Sequence, residues 1–299
     1  MFRKSSVVFV LLAFAISLGA APDSPPSRGK LSAAEIVDKN VTARGGLQAW
    51  RAVQTMSLAG KLGAGGNQRT TLPTPIPGKP GKKVSQLPVS PRPEEEVQLP
   101  FLMELARPRK MRFELQFNGQ TAIQVYDGAN GWKLRPYLNR RVVEPYTADE
   151  LKTSSMQADL DGFLVDYAAK GTQIELAGME KVEDRDTYKI KLTMKNGQAI
   201  HVWIDAQSFL ETKVEGQPRR LDGTDHPVEV YFRDYRPVSG LQIPFVLETR
   251  VLPVAKTALG FKDTPVPPEK TIIEKVVVNP KLDASLFSKP QIEVASNAN

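Results

Sequence analysis

A chain of 299 residues, 41% hydrophobic and 24% charged, can bury a sizeable core and is neither low-complexity nor fibrous. It has no cysteine, which excludes structural disulfides, thiolate chemistry and a lipid-modified cysteine at a cleavage point. Its formal charge of +7 is a mild basic excess that reads first as a solvated surface with a few extra lysines; acidic partners, if any, are expected to be anionic lipid headgroups or acidic protein patches rather than nucleic acid.

Arg3 and Lys4 precede an apolar run from Val7 to Leu18 broken only by Ser17, and Gly19, Ala20 and Ala21 supply small residues for a signal peptidase. Residues 1–21 therefore read as a cleavable signal peptide. The run is shorter than the roughly 20 residues of a bilayer-spanning helix, so the expectation is a soluble protein of the bacterial periplasm. Removing Arg3 and Lys4 leaves 38 basic against 33 acidic residues, or about +5. Residues 22–30 form a Pro/Ser-rich flexible spacer.

Ser32 followed by Glu35 has capping-box spacing, and Ile36, Val37 and Val41 fall on one stripe, predicting a helix from Ser32 to about Arg44. Gly45 and Gly46 end it, and Leu47 to Val53 reads as a further amphipathic turn that packs Trp50 and Val53. From Thr55 the period becomes two, with a strand at Ser57 to Leu62. The stretch from Gly63 to Pro93 holds seven prolines and is expected to be a long loop. Met111, Phe113, Leu115 and Phe117 then alternate with Arg112, Glu114 and Gln116, and a strand follows at Thr121 to Tyr126.

Thr147 and Glu150 form a second capping box, and Leu151, Met156, Leu160, Phe163 and Leu164 give the helix an apolar side that Gly162 divides. A strand is expected at Gln173 to Leu176. Ile190, Leu192 and Met194 alternate with lysines and threonine, and Asn196-Gly197 offers a hairpin turn into Ile200 to Asp205. A two-residue turn would put Trp203 on the face of Ile190, whereas a one-residue bulge would turn Trp203 away and bring Val202 and Ile204 in. Further strands are expected at Leu210 to Glu215, Val228 to Tyr235, Phe245 to Arg250 and Thr271 to Val278, with a loop at Pro253 to Pro268 and a disordered tail at 291–299. Short strands at close spacing predict an antiparallel meander.

The chemical inventory argues against an enzyme. His201, inside a strand, reads as structural, and His226, before Pro227 in a turn, reads as solvated; neither has a second ligand at metal-site spacing. The carboxylate runs at Glu94 to Glu96 and Glu183 to Asp186 read as solvent-facing. No GxSxG, P-loop or GxGxxG element occurs, and no cofactor or metal is expected. Carboxylates from distant strands could still pair in a glycan hydrolase, the last-ranked alternative. The apolar faces of the strands fit either a filled core or the wall of a cavity for an apolar ligand, and periodicity does not separate these.

Several stretches in order carry a resemblance. They are Thr42 to Trp50 at the first helix end, Arg107-Pro108-Arg109-Lys110-Met111-Arg112, Gly119-Gln120-Thr121, and Tyr126-Asp127-Gly128 with Trp132. Asp159 to Tyr167, the hairpin from Tyr188 to Asp205, Ile273 to Val276 and Leu282 to Phe287 complete the set. Together, over about Leu31 to Pro290, the chain resembles the outer-membrane lipoprotein-sorting protein family, the LolA-like periplasmic lipoprotein carriers.

That resemblance implies a mainly β, α+β fold: an incomplete, strongly curved antiparallel β-barrel lidded by helices, with acyl chains of a lipid or lipoprotein between sheet and lid. It further implies inner-membrane donor and outer-membrane acceptor proteins as partners of a monomer. The domain is expected over 31–290, with the insertion at 63–93 longer than the family pattern and no lid-locking arginine identifiable. On this reading Phe113, Leu115, Phe117, Ile190, Leu192 and Met194 form the cavity wall, and Leu160, Phe163 and Leu164 the lid. The alternative is an envelope scaffold with a filled core that binds a protein through a sheet edge or the Pro-rich loop.

Overall fold

The computed structural model describes residues 31–65, 96–136, 140–221, 223–258, 260, 263 and 265–291. The expected signal peptide, the spacer, the tail beyond 291 and most of the Pro-rich insertion lie outside the described residues, and all elements below belong to the unit Ser32–Asn299.

Helix α1 (Ala33–Ala43) begins as its sequence predicts: Glu35 N donates to Ser32 Oγ at 3.2 Å and Ser32 N donates to Glu35 Oε2 at 2.8 Å. Ile36, Val37 and Val41 are buried beneath it. Gly45 ends the helix with φ 117°, and a Cβ there would collide with the Gly240 carbonyl, so a side chain is excluded twice over. The short α2 (Leu47–Ala52) then buries Trp50, whose indole donates to the Arg44 carbonyl at 3.2 Å.

The strands follow as β1 (Thr55–Gly65), β2 (Glu96–Ala106), β3 (Lys110–Phe117), β4 (Gln120–Tyr126), β5 (Gly131–Arg135) and β6 (Arg140–Pro145). After α3 (Ala148–Gln157) come β7 (Gln173–Val182), β8 (Arg185–Thr193), β9 (Ala199–Asp205), β10 (Glu211–Glu215), β11 (Arg219–Leu221) and β12 (Thr224–His226). The last are β13 (Val228–Val238), β14 (Leu241–Val251) and β15 (Glu269–Val278), before a 3-10 turn at Ala284–Phe287. Among the described residues thirteen of these form one open, curved antiparallel sheet in the order β6-β5-β4-β3-β2-β1-β15-β14-β13-β10-β9-β8-β7. Two meanders thus meet at the β1–β15 pair.

This order has a topological consequence. The edge strands are β6 and β7, consecutive in the chain, so the segment joining them must run from one edge of the open sheet to the other. That segment carries α3. The concave face is set by register: Met56, Leu105, Met111 and Tyr126 align across one arm, and Ile190, Val202, Val214 and Val230 across the other.

Three sequence expectations change. Strands β2, β5, β6 and the β11–β12 hairpin were not expected; β2 contains Pro100, which breaks a strand reading, although Leu99, Phe101, Met103 and Leu105 alternate around it. Strand β1 continues through Gly65 against Glu96, so the first residues of the insertion are ladder rather than loop. His226 is not solvated but 1% exposed, with Nδ1 3.2 Å from both Asp263 Oδ2 and the Leu252 carbonyl, because the β11–β12 hairpin folds against the chain after β14.

The hairpin ambiguity resolves towards the extra residue. Met194 N donates to the Gln198 carbonyl at 2.8 Å, leaving a three-residue loop with Gly197 at φ 82°, and Lys189 pairs with Trp203 while Ile190 pairs with Val202. Trp203 therefore lies on the convex face. It is nonetheless buried, with the Lys213 ammonium 3.9 Å and the Lys189 ammonium 4.9 Å from its ring centroid and Glu180 accepting from its indole at 3.2 Å.

Candidate ligand-binding site

Helix α3, in the segment expected as the lid, is fixed first by its own cap. Glu150 N donates to Thr147 Oγ1 at 3.3 Å and Thr147 N donates to Glu150 Oε2 at 2.8 Å, forming the box that the sequence predicts. The same Glu150 receives the Lys133 ammonium of β5, which pins α3 to the inner side of the sheet. Burial raises the Glu150 carboxyl, but the Lys133 and Thr147 hydrogen bonds outweigh it and hold the group below its ordinary value. Tyr146 lays its ring on Gly131, a position where any Cβ would collide with that ring.

Beyond Gln157 the chain leaves the helix, and Gly162 (φ 76°) turns it so that Leu160, Leu164 and Val165 are buried. Charge interrupts this apolar stretch. Asp161 receives Arg107 Nη2 at 2.6 Å and Lys170 Nζ at 2.8 Å, while Lys170 also reaches Asp159 at 2.9 Å and the Gly162 carbonyl at 2.6 Å. Arg44 donates to the Asp161 carbonyl at 3.1 Å and pairs with Glu211 at 3.2 Å, and Arg51 pairs with Asp166 at 2.5 Å. Burial, then the neighbouring Asp161, push the Asp159 carboxyl up to about 6. Burial also raises Asp161, but hydrogen bonds from Asp159, Lys170 and Arg107 prevail and hold it well below the usual carboxylate range.

Between this segment and the sheet lies a cavity of about 150 Å³. Met156 and Phe163 line it from the lid, Leu192 of β8 and Met194 just beyond from the sheet, and Arg109 and Lys195 contribute exposed charges. Of the nine residues expected at the site, Phe163, Leu192 and Met194 meet here. Ile190 and Leu192 are fully buried, and Leu160 and Leu164 are packed into the lid segment rather than facing open space. Phe113 and Leu115 sit half-buried on β3, eight strands from β8 in the sheet order, with Phe113 stacked on Phe101 at 5.8 Å. Phe117, at the end of β3, is 36% exposed beside a groove of about 520 Å³ that Val97 and Leu99 also line.

The residues that sequence reasoning missed are Arg44, Arg51 and Arg107, which tie the segment to the rest of the fold through Asp161 and Asp166, and Lys170, which cross-links the segment internally through Asp159, Asp161 and the Gly162 carbonyl. Their one sequence signal was Asp159 and Asp161 inside an apolar run. Among the described residues no group of three metal-ligating side chains occurs, and no helix is long and apolar enough to cross a membrane.

No protein-family model matches the sequence, and no curated protein matches it. Among solved structures, a LolA superfamily protein from Nitrosomonas europaea superposes with a TM-score of 0.50 at 12% identity, over 87% of this chain and 99% of that one. A putative outer membrane lipoprotein-sorting protein domain from Vibrio parahaemolyticus gives 0.48 at 11% identity, over 85% and 95% of the two chains. A DUF1329 family protein from Desulfovibrio piger gives 0.47 at 11% identity, over 86% and 97%. The chain has the LolA-like fold, an open curved antiparallel sheet with few helices.

Proposed function

We propose that this protein holds the acyl chains of a lipid or lipoprotein on its concave face and carries them through the periplasm. The observation that carries the reading is the segment joining the two edge strands, which runs from one sheet edge to the other and leaves a partly open cavity with an apolar side at Met156, Phe163, Leu192 and Met194. Phe163, Met156 and Met194 are adaptable side chains suited to a ligand that offers few polar handles. The partly exposed row from Leu115 to Phe117 extends the apolar surface along the other arm.

The energetics suit transport. Each buried methylene contributes roughly 0.8 kcal/mol, so a chain of about 15 contributes on the order of 12 kcal/mol gross. A bilayer offers the same, so exchange between membrane and cavity is nearly neutral and its direction must come from donor and acceptor partners. The cavity's 150 Å³ is below the roughly 300–1,000 Å³ of ordinary ligand pockets, so loading requires the lid segment to shift from the sheet.

The test is native mass spectrometry with lipid extraction on mature chain purified from a periplasm without detergent. Co-purifying lipid or acylated protein is the expected result. A clean apo mass, with no uptake of a fluorescent fatty acid, would instead support a scaffold with a filled core.

A further inference from the structure

We propose that the ligand of the Phe163–Leu192–Met194 cavity is an amphiphile whose acyl chain ends in an anionic head group, a carboxylate or a phosphate, and that Arg109 and Lys195 bind that head. The inference rests on the acyl-binding reading and adds to it the charge of the ligand.

The cavity has an apolar side, formed by Met156, Phe163, Leu192 and Met194, and two exposed cations towards solvent. Leu192 is fully buried, whereas Arg109 and Lys195, which line the same space, are exposed. The two cations come from different arms. Arg109 sits in the β2–β3 turn at φ 49°, and Lys195 in the β8–β9 loop with its stem beside Gly171.

The two cations are weakly neutralised. Among the described residues Arg109 forms one loose ion pair, with Asp159 at 3.8 Å, which is too long for a hydrogen bond, and Lys195 has no carboxylate partner. The third cation lining the cavity, Lys170, is by contrast committed to Asp159, Asp161 and the Gly162 carbonyl. Asp159, the one carboxylate in the lining, is held by Lys170 at 2.9 Å and only loosely by Arg109.

A chamber with an apolar side and two exposed, weakly neutralised cations at its mouth fits an amphiphile with a negative end. A guanidinium offers a planar fork of donors that matches carboxylate or phosphate oxygens, and a flexible ammonium adds a second, adjustable charge. A neutral head would give Arg109 no counter-charge beyond Asp159 and Lys195 none, so the site favours an anionic head.

The experiment compares binding of a fluorescent long-chain fatty acid, its methyl ester and the corresponding alkyl phosphate to the full mature chain. The acid and the alkyl phosphate should bind about ten-fold more tightly than the ester, with a margin that shrinks as salt is raised. Their relative affinity identifies which anion the site prefers, and inorganic phosphate alone should displace neither. In the double variant Arg109→Gln, Lys195→Gln the margin should vanish while ester binding persists; both side chains are exposed, and far-UV circular dichroism checks that the fold is kept. Equal binding of acid and ester by the native chain would overturn the head-group inference and leave the acyl-binding reading standing. A margin that survives in the double variant would overturn it too, since the anion would then be read elsewhere. Loss of ester binding in that variant would reassign the pair to shaping the cavity, and failure of every probe to bind would remove both readings.

Discussion

Arg107, in the turn between β2 and β3, places Nη2 2.6 Å from Oδ2 of Asp161, a side chain only 2% exposed in the segment that joins the two sheet edges. The same arginine donates to the Val53 and Trp50 carbonyls at 2.8 and 3.1 Å, so one guanidinium ties the body to the lid segment beside the cavity. Removing one partner of such a pair leaves the others buried without a counter-charge. Asp161→Asn should cost about 3 kcal/mol in urea denaturation and speed proteolysis within 158–171. An unchanged midpoint and cleavage rate would show that the segment is held by its apolar contacts alone.

The neighbouring Asp159 sets a pH dependence of opposite sign to that of most carboxylates. Its folded value, pushed up to about 6 by burial and by Asp161, exceeds its ordinary 3.8, so its contribution to stability is complete below about 3.8 and lost as pH rises through about 6. Asp161, held below its ordinary range, contributes above 3.8 and loses that contribution only as pH falls through its own lower value. The groups facing the pair are Lys170, Arg107 and, more distantly, Arg109. Melting temperatures of the native chain and Asp159→Asn should therefore diverge between about pH 4 and pH 6, the native chain losing ground as pH rises. A constant difference across that window would refute the assignment.

Phe163 and Leu192 face the same cavity but call for different substitutions. Leu192 is fully buried, so Leu192→Glu would strand a carboxylate in the core and unfold the protein, and even Leu192→Ala should cost about 2–5 kcal/mol. Phe163 and Met194 are half-buried. Met194→Glu should abolish uptake of an acyl probe while far-UV circular dichroism is unchanged. Retained uptake would move the ligand away from this cavity.

On the convex face, Lys213 lies 3.9 Å from the Trp203 ring centroid and 2.7 Å from Glu229, whose other oxygen accepts the Tyr231 hydroxyl at 2.8 Å. Lys213→Ala removes a desolvated cation–π contact and leaves Glu229 without its ammonium. The expected loss is about 2 kcal/mol, with greater access of a quencher to tryptophan fluorescence. A variant as stable as the native chain would mean that the stacked aliphatic stems, not the charge, hold this face.

Local chemistry was legible in the sequence. The boxes at Ser32–Glu35 and Thr147–Glu150 are closed within three residues, and the alternation from Met111 to Phe117 follows from a strand exposing its two faces in turn, so none of these depends on a distant partner. Phe163, Leu192 and Met194 were legible as apolar positions near a lid. Their meeting around one cavity was not, because it depends on β6 and β7 becoming opposite edges of an open sheet.

The sequence by itself determined the two capped helices, the period-two segments and the lack of thiol chemistry, since each is written in residues close together in the chain. The tertiary structure alone decided which face Trp203 takes, because one extra residue in the loop at 195–197 reverses the parity of the whole strand. It alone turned His226 inward against Asp263, and it alone brought Arg107, from a turn 54 residues away, to Asp161. Charge pairs between distant segments leave no periodic trace. They exist only where folding places an arginine and a carboxylate in the same low-dielectric space, where each lowers the cost of burying the other.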